Sequence, residues 1–76
     1  MYHTVEFGVP CLLDLERSRK HHLERIQIRK GDRVRAQIKP YVVESAEGPV
    51  EVADLFLEDG TATRGVRFAC FSFVDS

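Results

Sequence analysis

Apolar and polar residues alternate with a period of two along much of this chain. Near its start, His3, Val5, Phe7 and Val9 fall on one side of the pattern. Successive side chains of a β-strand point to opposite faces, so the alternation predicts a strand with one buried face. The Gly-Val-Pro sequence at 8–10 then predicts a bend or a sheet edge.

A second alternating stretch, residues 23–39, predicts a hairpin. A two-residue loop would pair apolar with polar positions, whereas a three-residue loop at 30–32 places Ile28 opposite Val34 and keeps the two faces separate. We therefore expect the longer loop, with Gly31 in a left-handed conformation. The other face of hairpin 25–39 is basic and polar, with Arg25, Gln27, Arg29, Arg33, Arg35, Gln37 and Lys39.

Two β-rich runs, 50–57 and 66–74, flank Asp59-Gly60 and predict another hairpin. An Asp-Gly pair in this position is typical of a type I′ turn, which needs positive φ at both central residues. Gly65 predicts a β-bulge, because a strand from 61 to 74 would be long without a bend. Most of the phenylalanines lie in this part of the chain and should dominate the core: Phe56, Phe68, Phe71 and Phe73.

The segment 11–25 fits two structures. As a helix it would place Cys11, Leu12, Leu15 and Leu23 on one face, with Arg19 in its middle. As a strand, a loop and a second strand, it would expose the six consecutive polar residues at 17–22. Those six residues favour the loop. Pro40 should end the strand before it or lie at a sheet edge, because proline cannot donate a backbone hydrogen bond.

Together these elements predict one all-β domain over residues 1–76. Five or six strands with turn signals between them indicate a small antiparallel barrel or sandwich of SH3-like barrel size, with one short helix in 11–25 as the alternative there. The apolar content of 43% and the charged content of 30% are typical of a folded soluble protein. The chain carries no secretory-signal pattern and no apolar run of membrane-spanning length, so we expect a cytoplasmic protein.

Charge is strongly segregated along the chain. Residues 17–39 contain nine Lys or Arg and two acids, a net charge of +7, while the remainder has a net charge of −8. Like charges on one sheet face repel each other, so something anionic should lie near the basic face. Three groups could supply this negative charge: acids of the same chain, acids of a second subunit or partner, and nucleic-acid phosphates.

The strand at 66–74 is apolar on both faces, which gives a separate indication of a contact surface. We expect a non-catalytic interaction or assembly module that acts as a homo-oligomer or with a protein partner. Phe71 and Phe73 would form its apolar face. Its basic face would comprise Arg25, Arg29, Arg33, Arg35 and Lys39, paired with acids such as Glu51, Asp54 and Glu58. The alternative is a small β-barrel that binds nucleic acid through hairpin 25–39, although a pI of about 6.3 is low for that role.

No pattern of catalytic or cofactor-binding residues stands out. His3, His21, His22 and Cys11 lack the spacing of a zinc site, and the sequence contains no phosphate-binding glycine motif. The carboxylate pairs Asp14/Glu16 and Glu58/Asp59 fit a solvated strand edge and a turn. Cys11 and Cys70 are too far apart in the sequence for a metal-binding motif, and neither belongs to a CxxC pair. We expect two free thiols in the core, with a single disulfide as the alternative. The sequence thus predicts no enzyme, cofactor or metal site.

Overall fold

The computed structural model of the chain describes residues 1–17 and 23–74. Those residues form strands and one short 3₁₀ turn, which confirms the all-β class. The strands are β1 (His3–Phe7), β2 (Cys11–Arg17), β3 (Leu23–Ile28), β4 (Arg33–Ser45), β5 (Gly48–Leu57), β6 (Thr61–Arg67) and β7 (Phe71–Phe73). In the described part of 11–25 both elements are strands, as the run of polar residues between them favoured.

The seven described strands form one antiparallel sheet in the order β3-β2-β6-β5-β4-β1-β7. The sheet curls into a half-barrel, and its concave face holds the core. Val5, Phe7 and Leu55 are the largest fully buried side chains. They come from alternate positions of β1 and β5, so the period-two pattern read from the sequence reports which residues face inward.

The predicted hairpin 25–39 is wrong, although its two faces are assigned correctly. Strand β3 pairs with β2, and β4 pairs with β1 on one side and β5 on the other. Residues 29–32 therefore connect two distant strands instead of closing a hairpin. Backbone bonds from Gly31 N to Phe7 O, at 2.7 Å, and from Phe7 N to Asp32 O, at 2.9 Å, hold this connection against β1.

The predicted hairpin around Asp59-Gly60 is confirmed, but its loop has three residues. Strand β5 ends at Leu57 and β6 begins at Thr61. The Gly60 amide donates to the Leu57 carbonyl at 3.2 Å, and Gly60 has a φ of 89°. The Asp59 carboxylate accepts from the Thr61 amide at 2.9 Å, which stabilises the turn in place of a two-residue type I′ loop.

The predicted bulge at Gly65 is confirmed. Ala53 lies opposite Val66 and Leu55 opposite Thr63, so two residues of β6, Arg64 and Gly65, face the single residue Asp54. Gly65 has a φ of 69°, which is the left-handed conformation that a bulge of this kind requires.

The predicted strand 66–74 is interrupted. A 3₁₀ turn at Phe68–Cys70 separates β6 from β7, and β7 pairs with β1 at the other side of the sheet. The turn changes the phase of the alternation, so Phe68 and Phe71 both pack inward with ring centroids 5.2 Å apart. The two apolar faces inferred from the sequence are therefore largely absorbed by the core.

Strands β4 and β5 extend together beyond the strands on either side of them, β1 and β6. The pairing of β4 with β1 ends at Ala36, and the pairing of β5 with β6 begins at Val52. Residues 41–51, which we call the ribbon arm, thus form a two-stranded ribbon whose outer edges have no strand partner in the part of the chain described here. Pro40 lies at the base of the arm, on a stretch of β4 that only β5 pairs, in agreement with its expected edge position.

The bulge gives a stability test. Gly65→Ala should lower the free energy of unfolding by about 1–2 kcal/mol, because a Cβ atom is strained in the left-handed conformation. Added bulk is not the cause, since the nearest atom to the new Cβ would be the Tyr41 hydroxyl at 3.8 Å. Urea unfolding measures the change.

Gly8→Ala is the matched control. Nothing lies within 4 Å of its Cβ position, and its φ is outside the left-handed region. Its effect should stay within about 0.5 kcal/mol. Equal effects of the two substitutions would contradict the role assigned to the bulge.

Candidate interaction surface

Asp54 occupies the centre of a polar cluster on the outer face of the sheet. Its side chain is 11% exposed, and its carboxylate accepts three hydrogen bonds. The donors are the Tyr41 hydroxyl at 2.9 Å, the Gly65 amide at 3.0 Å and the Arg64 Nη1 at 3.2 Å. The bulge creates this site, because it turns the Gly65 amide away from the ladder and toward the carboxylate.

Arg64 links this cluster to strand β2. Its Nε lies 2.7 Å from Glu16 Oε1, and its guanidinium lies 6.0 Å from the centre of the Phe56 ring. Among the described residues, direct pairing between β2 and β6 covers Glu16 with Ala62 and Arg17 with Thr61. The Arg64 bridge therefore supplements a short stretch of backbone pairing.

The protonation states of the cluster follow from these contacts. Burial alone would raise the pKa of Asp54, but the hydrogen bonds from Tyr41 and Gly65 and the charge of Arg64 lower it below its ordinary value. The bond to Asp54, together with burial, raises the pKa of Tyr41. Asp54 is thus an anion and Tyr41 a neutral donor at neutral pH, and all three donors to the carboxylate belong to the chain itself.

The basic residues predicted to form one face are divided by the sheet order. Three strands separate β3, which carries Arg25, from β4, which carries Arg33 and Arg35. Acids of the same chain pair with these three arginines: Arg25 with Asp14 at 2.8 Å, Arg33 with Glu6 at 3.0 Å and Arg35 with Glu58 at 3.8 Å. Arg29 and Lys39 make no ion pair with any residue that the structure describes.

The two phenylalanines predicted as an apolar contact face have different positions. Phe71 is buried in the core and packs on Phe7, so it is not available at the surface. The 3₁₀ turn before it explains the error. Phe73 is 48% exposed and contacts the His3 ring edge-on at 5.4 Å.

The ribbon arm is the surface that the sequence reading missed. Tyr41, Val42 and Val43 are exposed by 38%, 58% and 39%. A groove of about 320 Å³ lies beside them, lined by Pro40, Tyr41, Val42, Glu51 and Phe68. The run of three apolar residues after Pro40 was the available signal, but by itself it indicated only a continuing strand.

A second opening separates β2 from β6 beyond their short pairing. It has a volume of about 230 Å³, and Cys11 and Cys70 both line it. Both cysteines are free and half-buried. Burial, and to a lesser degree the neighbouring Cys70, raises the pKa of Cys11, which favours the unreactive thiol form.

Within residues 1–17 and 23–74, no three His, Cys, Asp or Glu side chains cluster as metal ligands would. His21 and His22, considered above as ligands, lie outside these ranges. No described helix is both long and apolar enough to span a bilayer.

Comparison with known proteins yields no relative. No protein-family model matches the chain, and no curated protein or solved structure matches it.

The Asp54 cluster predicts a specific pH dependence. Asp54→Asn should lower the free energy of unfolding at pH 7 by about 1–3 kcal/mol, because it weakens charge-assisted hydrogen bonds. The folded-state pKa of Asp54 is depressed, so this contribution is present above the unfolded value of about 3.9 and is lost as the pH falls through the folded value. The difference between the two proteins should therefore shrink below about pH 4.

Urea unfolding at pH 7, 5 and 3 tests this, with Asp14→Asn as the control. The Asp14 side chain is 57% exposed in its pair with Arg25, and such exposed pairs contribute under about 1 kcal/mol. A difference between wild type and Asp54→Asn that stays constant over this pH range would contradict the assignment.

Proposed function

We propose that this chain is a non-catalytic assembly module that acts as a homo-oligomer or with a protein partner, and that the ribbon arm is its contact surface. The observation that carries the proposal is the exposure of three consecutive apolar side chains, Tyr41, Val42 and Val43, on a ribbon without strand neighbours on either side in the described chain.

The physics of isolated ribbons supports this role. A two-stranded ribbon is marginally stable in water, and its unpaired amide and carbonyl groups are able to pair with another chain. An extended partner segment would gain main-chain hydrogen bonds along such an edge and side-chain contacts in the adjoining groove. Binding would also cover the exposed valines, which contributes about 25 cal/mol for each Å² of apolar area buried.

The polar clusters support a structural rather than a catalytic role. Donors of the same chain occupy the Asp54 carboxylate, and the Asp14 and Glu16 carboxylates form ion pairs with Arg25 and Arg64. Each of these groups has a structural task in joining neighbouring strands.

Nucleic-acid binding through Arg25, Arg29, Arg33, Arg35 and Lys39 is the competing function. Carboxylates already lie within 4 Å of three of these arginines, so phosphates would have to compete with them. If this function operates, affinity for a DNA or RNA duplex should fall steeply with salt, and Arg33→Ala/Arg35→Ala should flatten the slope.

A paired substitution tests the proposal. Val42→Asp should reduce association by about tenfold or more, because it places a charge in an apolar contact. Light scattering after size exclusion, over a range of protein concentrations, measures the mass. Leu12→Asp is the matched control, since Leu12 is 57% exposed on β2, away from the arm. It should leave the mass unchanged.

Phe73→Asp tests a second exposed apolar position, at β7 on one edge of the sheet. If Phe73→Asp lowers the measured mass and Val42→Asp does not, the contact surface is β7 and not the ribbon arm. A monomer at every concentration, with no captured protein partner that depends on Val42, would overturn the proposal.

A further inference from the structure

Two groups of neighbouring charges make no ion pair within the described part of the chain. On the acidic side, Glu44, Glu47 and Glu51 of the ribbon arm make no ion pair with any described residue, and the arm contains no Lys or Arg. On the basic side, Arg29 and Lys30 follow directly after β3 and are also without an ion pair in the described chain. Ion pairs within the described chain involve five other acids: Glu6, Asp14, Glu16, Asp54 and Glu58. The arm, with three unpaired glutamates and no basic residue, therefore holds a concentrated excess of negative charge.

Strand β3 has the second property that a contact needs, a free backbone edge. It lies at one end of the sheet and pairs with β2 alone among the described strands. Arg25, on its outer face, is held by Asp14. Among the described residues at this edge, Arg29 and Lys30 are exposed basic residues without an ion pair, and Glu24 is an exposed acid without one. The net charge of these three side chains is therefore positive.

We propose that the ribbon arm of one copy adds to the free edge of β3 in a second copy. In the described chain the outer edge of β4 has no strand partner from Gln37 to Ser45, nine residues, of which Pro40 alone lacks an amide donor. This edge is longer than the six residues of β3. Main-chain pairing between these edges would extend the sheet across two subunits. Attraction between the arm's glutamates and Arg29 and Lys30 would set the register of that pairing.

The opposite end of the sheet is a poorer acceptor for the arm. Strand β7 has three residues, Phe71–Phe73, and none is basic. Arg33 and Arg35 already pair with Glu6 and Glu58. Lys39 and Arg67 have no ion pair among the described residues, but Lys39 belongs to the strand that forms the arm, and Arg67 lies beside the opening between β2 and β6.

This inference rests on the proposed assembly function and specifies its partner as a second copy. The ribbon arm and the β3 edge are different surfaces of the same chain. A single arm-to-edge contact between two copies would therefore join them head to tail. Two copies that exchange arms about a twofold axis would close the assembly as a dimer. The measured mass distinguishes a closed dimer from an open oligomer of three or more copies.

Charge reversal with complementation tests the contact. The arm variant is Glu44→Lys/Glu47→Lys/Glu51→Lys, and the edge variant is Arg29→Glu/Lys30→Glu. Each variant alone should lose association by about tenfold or more, because like charges then face each other. An equimolar mixture should regain the wild-type mass, because the arm of each variant is again opposite in charge to the edge of the other.

The control is Glu58→Lys, which reverses an exposed charge in the turn at the opposite end of β5 from the arm and should leave the mass unchanged. Circular dichroism and urea unfolding establish that every variant is folded. If wild type associates and both charge variants associate equally well, the arm-to-edge contact is overturned while the assembly function stands. If wild type remains a monomer at all concentrations, the homo-oligomer is overturned together with this contact.

Discussion

The carboxylate of Asp54 on β5 joins the neighbouring strands β4 and β6, and the bend of the sheet and the base of the ribbon arm depend on these bonds. It fills the gap that the Gly65 bulge opens in the ladder between β5 and β6, and it accepts from Gly65, Arg64 and Tyr41. Each donor extends the effect to another element: Gly65 fixes the bend of β6, Arg64 reaches Glu16 on β2, and Tyr41 anchors the base of the ribbon arm. A buried carboxylate with three donors is stabilising, whereas the same group without them would be costly.

This arrangement divides the molecule into regions with different tasks. The concave face of the curled sheet carries the apolar core around Phe7 and Leu55. Intramolecular ion pairs neutralise four arginines, Arg25, Arg33, Arg35 and Arg64. Exposed pairs of that kind contribute little to stability. The ribbon arm has no core of its own and makes no ion pair with the residues that the structure describes. Its apolar and acidic side chains are therefore the strongest basis for a contact with another chain.

Local patterns predicted the local features of the fold well. Period-two alternation identified the inward positions such as Val5 and Ile28, and Gly65 correctly indicated the bulge, because each follows from backbone geometry over a few residues. Strand pairing was harder, since hairpin 25–39 satisfied every local rule and yet β3 pairs with β2. Phe71 was misplaced for a related reason: a single 3₁₀ turn reverses the phase of a strand and leaves no clear pattern in the sequence. Exposure of the ribbon arm depends on where β1 begins and where β6 ends, which no property of residues 41–51 determines.

Hydrogen exchange followed by mass spectrometry, on the wild-type protein at low and high concentration, tests most directly whether the ribbon arm is a contact surface. If the arm pairs with another copy, exchange of its amides should slow as concentration rises, while the amides of the buried strand β1 should exchange at the same rate in both samples. If the amides of β3 also exchange more slowly at high concentration, β3 is the edge with which the arm pairs. Arm amides that exchange at the same rate at both concentrations would contradict self-association through the arm.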